Sequence, residues 1–206
     1  MSDPIGQIKD KIDDARSGKL IFISHCLLNQ NACVKGISSE AAMIKPLIKL
    51  LMDHDVAIYQ MPCPEVSFCG QARWGQVKQQ YSTPMFRRHC RQIAEQILDH
   101  VQNYTDTGHR VLGVVMRDGS PTCGLHRTAV SADDEQIWGG MVWQIPKQRF
   151  AETRGVYCEE LQAEKERRNM DLLFLSLPEV PEAGDFDAAL EEIRDRKSTR
   201  LNSSHT

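Results

Sequence analysis

RVLGVVMRDGSPTCG, residues 110–124, decides how the chain is built. Its apolar and small run, Val111 to Met116, is bounded by turn residues and reads as a buried strand. A Gly-Ser-Pro turn then places a thiol, Cys123, just past the strand's carboxyl end. The same construction occurs twice earlier, where LIFISH runs into Cys26 and VAIYQMP runs into Cys63. Three strand-like runs thus deliver a cysteine at the same end. In an open α/β sheet that end is where ligands bind.

Working outward, Leu20–Ser24 is the first strand, Val56–Gln60 the second, and 171–177 (DLLFLSL) a fourth. Helical patterns alternate with them. Residues 40–54 read as a helix in which Pro46 marks a first turn or a kink. Thr83-Pro84 opens a long helix to about Tyr104, with Phe86, Cys90, Ile93, Ile97 and Val101 on its apolar stripe. Residues 156–169 and Asp185–Arg196 give two more helices, and Ile5, Ile8 and Ile12 predict a short one over residues 3–16. Strands alternating with helices predict a single α/β, Rossmann-like layered domain over residues 1–196, with a mostly parallel sheet. The cysteine site falls at the carboxyl ends of its strands. The stretch CPEVSFCGQARWG reads as irregular, and residues 125–155, with Trp138 and Trp143, as a glycine-rich loop that is either a lid or a packed surface segment. The tail 197–206 lacks periodicity and predicts disorder; it resembles translated adapter sequence and receives no function.

At 206 residues the chain is long enough for a sizeable core. Hydrophobic residues at 41% and charged residues at 26% favour neither a disordered nor a membrane class. Net charge is −3 with no basic cluster, which argues against a dedicated nucleic-acid surface without excluding one. No run is long enough to span a bilayer, and the first residues lack the apolar core of a signal peptide, so no membrane partner and a cytoplasmic location are expected. A monomer and a dimer are equally compatible with the sequence. In the cytoplasm disulfides are uncommon, so the seven cysteines call for another explanation.

Cys26, Cys63 and Cys123 are separated by 37 and 60 positions, unlike a compact zinc ribbon. Their repeated context makes them candidate ligands of a soft or borderline metal or a cluster. Three thiolates without a fourth ligand leave one coordination position open, the mark of a catalytic rather than a structural site. Three buried thiols that merely pack are the bland alternative. Cys90 and Cys158 read as core, whereas Cys33 and Cys69 lie in the loops nearest the three candidate ligands, where either is open to the role of a fourth ligand or a sulfur relay. Glu65, two after Cys63, is placed either to move protons or to serve as a helix cap or loop salt bridge; Ser120, three before Cys123, is placed to hold a substrate carbonyl or to bond its own turn. His25 beside Cys26 does not form a nucleophilic pair if both lie on a strand, where neighbours point to opposite faces. Arg73 and Arg87-Arg88 are either anion contacts or solvated charges.

Together HCLLNQNACVKG, MPCPE and DGSPTCG resemble the three signature stretches of the thiouracil desulfurase family, the TudS-like iron–sulfur proteins. The likeness spans roughly residues 19–130. It implies a 4Fe–4S cluster held by Cys26, Cys63 and Cys123, with hydrosulfide taken on the unique iron, and catalytic roles for Glu65 and Ser120. The implied reaction is non-redox desulfuration of a thiolated pyrimidine, 2-thiouracil or 4-thiouracil, to uracil. Action on thiolated nucleosides or tRNA is one alternative; a non-enzymatic metal- or sulfide-binding redox module is another. Asn29 stands where the family usually has Gly and Thr122 where it has a second Ser, and CPEVSFCGQARWG differs from its Gly-rich loop. These departures bear on the substrate more than on the cluster.

Overall fold

Parallel strands buried on both faces need near-continuous apolar sequence, and the chain supplies it. In the computed structural model, residues 14–132 and 147–201 are described. Strands β1 (Lys19–Ile23), β2 (Ala57–Gln60), β3 (Arg110–Asp118) and β6 (Phe174–Pro178) form a parallel sheet in the order β2-β1-β3-β6. This is the α/β layered fold expected. Side chains alternate across the sheet. Leu20, Phe22, Val114 and Met116 face one layer, with helices α5 (Pro84–Asp106) and α6 (Val156–Arg167) over them. Ile21, Ile23, Val115 and Leu177 face the other, under α2 (Lys45–Met52) and α7 (Phe186–Leu201). Each fully buried large apolar side chain contributes about 1.5–3 kcal/mol.

One extra residue in β3 breaks the register: Leu20 and Phe22 of β1 face Val111 and Val114. This bulge falls at Gly113, whose φ is 148° and where a Cβ would lie 2.7 Å from the Leu173 carbonyl oxygen, so only glycine fits. The bulge keeps Leu112 and Val115 on one face although they are three apart.

Several expectations are corrected. The second helix starts at Lys45 rather than residue 40, and Pro46 occupies its first turn, where a missing N–H costs nothing. The chain after Cys63 is not irregular: Pro64–Cys69 forms helix α3, and Lys78–Tyr81 forms a turn of helix, α4. His25–Leu28 is likewise a short helix, α1, so His25 and Cys26 do not lie on a strand. Part of the expected lid is regular, since β4 (Arg127–Ser131) pairs antiparallel with β5 (Gln148–Glu152). Trp138 and Trp143 lie outside the described residues, as do residues 3–13 of the expected first helix. Helix α7 continues five residues into the tail expected to be disordered, ending at Leu201.

The long helix begins where expected. Thr83 Oγ1 accepts a hydrogen bond from Phe86 N at 3.2 Å, capping α5. Ion pairs then tie α4, α5 and α6 together: Lys78 and Arg87 both reach Glu159, and Arg87 and Arg91 reach Glu160. Among the described residues no helix is long and apolar enough to cross a membrane.

Candidate functional site

The carboxyl ends of β1, β2 and β3 open onto a cavity of about 520 Å³. Cys26, Cys63, Cys123, Glu65 and Ser120, the site residues expected from the sequence, all line it. A larger groove of about 620 Å³, between Ile44, Pro46, Pro178 and Phe186, contains none of the thiols.

Each thiol is set by a different local device. Cys26 sits on the helical turn directly after β1. Cys63 caps α3: its Sγ accepts from Val66 N at 3.5 Å, while Pro64 fills the first helical position. Cys123 lies in a turn that Ser120 closes, its Oγ accepting from Thr122 N at 3.3 Å and Cys123 N at 3.1 Å. Ser120 therefore fills the turn role open to it in the sequence, and its oxygen serves the backbone first.

Two glycines let this turn be clasped. A Cβ on Gly124 would collide with Thr128 Oγ1 and the Arg127 carbonyl oxygen, and one on Gly155 would fall into the Thr122 carbonyl. The first turn of α6 can therefore close onto the cysteine loop, with Tyr157 N and Cys158 N donating to Thr122 O at 2.9 and 3.1 Å. From the other side Asp118 Oδ1 accepts from Leu125 N and His126 N at 2.7 and 2.8 Å, and Oδ2 from Ser176 Oγ at 2.6 Å. Burial raises the Asp118 pKa, but hydrogen bonds from His126 and Ser176 outweigh it and hold the carboxyl below its usual range. His126 Nδ1, 3.1 Å from Asp118 Oδ2, is correspondingly pushed up.

Glu65 is buried, and both its oxygens are engaged. Oε2 accepts from Arg73 Nε at 2.8 Å and Oε1 from Thr122 Oγ1 at 2.7 Å. Arg73, one of the charges left open between anion contact and solvated group, is 4% exposed and also donates to the Ala32 carbonyl. Arg87 pairs with Glu159 and Glu160 away from the cavity, and Arg88 is exposed.

The remaining cysteines divide. Cys90 and Cys158 are core residues, as expected. Cys69 is exposed and does not line the cavity, whereas Cys33 does, sharing a hydrogen bond with Cys26. That bond and burial push the Cys26 thiol well up; burial, followed by the Glu65 charge, raises Cys63. Cys123 is also raised well up by burial. All three thiols are therefore shifted towards the neutral form, Cys63 and Cys123 chiefly by burial.

Sequence reasoning missed three lining residues. Thr122 bridges Glu65 to the cysteine turn. Arg117, 2% exposed, faces Glu179 with Nε 3.6 Å from Oε2. Its signal was visible: a charged residue continues an apolar strand in VVMRD without a break in periodicity.

Among the described residues no three His, Cys, Asp or Glu form a group that could hold a metal ion. A cluster makes a different demand, because each cysteine binds its own iron. The donors fit that demand: three thiols on one cavity, with buried guanidinium nitrogens of Arg73 and Arg117 that lack hydrogen-bond partners among the described residues. Each of these arginines faces one carboxylate, Arg73 that of Glu65 and Arg117 that of Glu179.

No family model matches the chain, and no solved structure matches it. An uncharacterized protein of Methanocaldococcus jannaschii is similar, 28% identical over 109 residues that cover 53% of this chain and 69% of that protein.

Proposed function

We propose that the chain is a thiouracil-desulfurase-like enzyme that removes sulfur from a thiolated pyrimidine by hydrolysis, without net electron transfer. The observation that carries the reading is convergence: three strand ends deliver Cys26, Cys63 and Cys123 to one cavity that also holds the buried Glu65 carboxylate. These three thiolates would hold a 4Fe–4S cluster, which supplies a soft Lewis acid with an open position for sulfur.

The chain's own residues supply the proton handling. Water adds through its oxygen to the thiocarbonyl carbon, and Glu65 takes the proton it releases. The added hydroxyl gives its remaining proton to sulfur as the carbonyl forms. The C–S bond breaks with its electron pair leaving on sulfur, and Glu65 later returns its proton to solvent. The products are the oxo-pyrimidine and hydrosulfide. Arg73 compensates the Glu65 charge, and Thr122 fixes the orientation of Oε1. Ser120 holds the Cys123 turn in shape.

The test is anaerobic reconstitution with iron and sulfide, followed by metal and sulfide counts and assay with 2-thiouracil, 4-thiouracil and their nucleosides. The expected result is about four irons per chain and release of sulfide with loss of thione absorption. Cys123→Ala should lose cluster and turnover together; Glu65→Gln should keep the cluster and lose turnover. A reconstituted protein that binds no iron, or a fully active Glu65→Gln, overturns the assignment. A second reading, a four-thiol site that stores sulfide without turnover, is favoured by the place of Cys33 beside Cys26 on the same cavity. It predicts that Cys33→Ala loses the cluster.

A further inference from the structure

Cys26, Cys63 and Cys123 follow the ends of three parallel strands, and the fourth strand brings a different group. β6 ends at Pro178, and Glu179 comes directly after it. Glu179 N donates to Asp118 O at 2.8 Å, which holds the residue against the end of β3. Gly119 permits that approach, since a Cβ there would lie 3.1 Å from Glu179 Cβ and 3.2 Å from Ala183 Cβ. Glu179 lines the same cavity as the three thiols and Glu65. Its charge acts on Glu65 and on Cys33, so the carboxyl faces the thiol side. The proposed hydrolysis gives it no role.

The two carboxyls are held differently. Glu65 has both oxygens engaged, one by Arg73 and one by Thr122. Arg117 Nε stands 3.6 Å from Glu179 Oε2, beyond hydrogen-bond length. Glu179 keeps 12% of its side chain exposed against 2% for Arg117, so it is the member of that pair open to an entering molecule. Burial pushes its carboxyl above the usual 4.5, and Glu65 adds to the rise; Arg117 and Arg73 pull it back without cancelling it. Two carboxyls of unlike surroundings in one cavity divide into a base and an acid. The hydrolysis also has a proton without a carrier, the one that the added hydroxyl passes to sulfur. A carboxylic acid suits that transfer, because its O–H donates while its second oxygen accepts. We propose that Glu179 is the general acid of the site, giving its proton to sulfur as its other oxygen takes the proton of the added hydroxyl. The carbonyl forms, the C–S bond breaks with its electron pair on sulfur, and Glu179 ends the step protonated as it began. The inference rests on the proposed desulfuration.

The experiment measures single-turnover desulfuration of 2-thiouracil and 4-thiouracil by the reconstituted full chain, across pH, for wild type and Glu179→Gln. The wild-type rate should fall as pH climbs through the raised Glu179 value, because only the protonated form donates. Glu179→Gln should hold the same iron, react about 100–10,000-fold more slowly and lose that alkaline fall. A folded, iron-loaded variant within about tenfold of wild type overturns the proposal. So does a slow variant that keeps the wild-type pH profile, which marks a structural role. Where Glu179→Gln fails to fold by circular dichroism or to take up iron, Arg117→Met/Glu179→Gln removes both charges and is held to the same outcomes. A readout without turnover is the infrared stretch of the protonated carboxyl, taken as the difference between wild type and variant in the unloaded chain. At pH 4.5 more than half of that band should remain; less than half overturns the proposal. A wild type that releases no sulfide at any pH sinks the hydrolysis and this role with it. A wild type that releases sulfide alongside any of the refuting results sinks this role alone.

Discussion

Removing Arg73 should cost far more than removing Arg73 and Glu65 together. The two side chains are 4% and 8% exposed, so solvent screens their 2.8 Å ion pair little. Arg73→Met leaves the Glu65 carboxylate buried with only Thr122 as donor, and frees the Ala32 carbonyl. Breaking one side of a buried pair costs about 3–5 kcal/mol, a large share of the roughly 5–15 kcal/mol that holds a domain folded. Glu65→Leu strands the Arg73 cation by the same logic, with Nη1 already lacking a partner among the described residues. The double variant Arg73→Met/Glu65→Leu removes both charges and should lie about 2 kcal/mol or more above the sum of the two losses. Urea unfolding of the four proteins, followed by circular dichroism at neutral pH, measures the coupling. Losses that add within about 0.5 kcal/mol would refute the reasoning, because independent sites behave that way. A stable double variant also separates the structural cost of the carboxylate from its catalytic one.

Gly155→Ala should push the first turn of α6 off the Thr122 carbonyl. Overpacking of this kind costs about 1–3 kcal/mol in unfolding free energy, and the variant should take up less iron on reconstitution. Wild-type iron uptake would show that the clasp does not shape the Cys123 turn. Thr122→Val removes the hydroxyl held at 2.7 Å from Glu65 Oε1, and should lower kcat about 10–100-fold with KM little changed; a change in KM alone would assign Thr122 to ring binding. The His126–Asp118 pair predicts a pH dependence. His126 is raised from 6.5, so its contribution is complete below that pH and fades as pH climbs through the raised value. Asp118 is lowered from 3.8, so its share fades only as pH falls through the lowered value. The stability difference between wild type and His126→Gln should be largest between pH 3.8 and 6.5 and shrink in alkali. A difference that grows with pH would sink it.

The strands were legible because burial on both faces leaves no room for polar alternation; KLIFI and VLGVVM carry their layer in their composition. The gathering of the three cysteines was legible for a related reason, since parallel strands point their carboxyl ends the same way. Helix α3 was not, because VSFCG looks like a loop until Cys63 is seen as a cap and Pro64 as a first helical residue. Strand β5 was hidden by its exposure, as QRFAE has little apolar content to betray a pairing partner. Buried charge was the least legible. Arg73 and Arg117 have the composition of surface residues, and only the folded cavity shows that neither reaches bulk water.

The spread of the three thiols along the chain carries a consequence for assembly. Cys26, Cys63 and Cys123 meet only once β1, β2 and β3 have found their register. No short segment presents two of them together, so an unfolded chain has no preformed grip on iron. Whatever occupies the cavity binds the native state alone and adds its stabilisation by mass action after folding. The order of events is thus opposite to that of a zinc finger, which is unfolded until the metal arrives. On the proposed function the sheet would come first and loading second, and stripping the occupant should return a folded protein ready to be filled again.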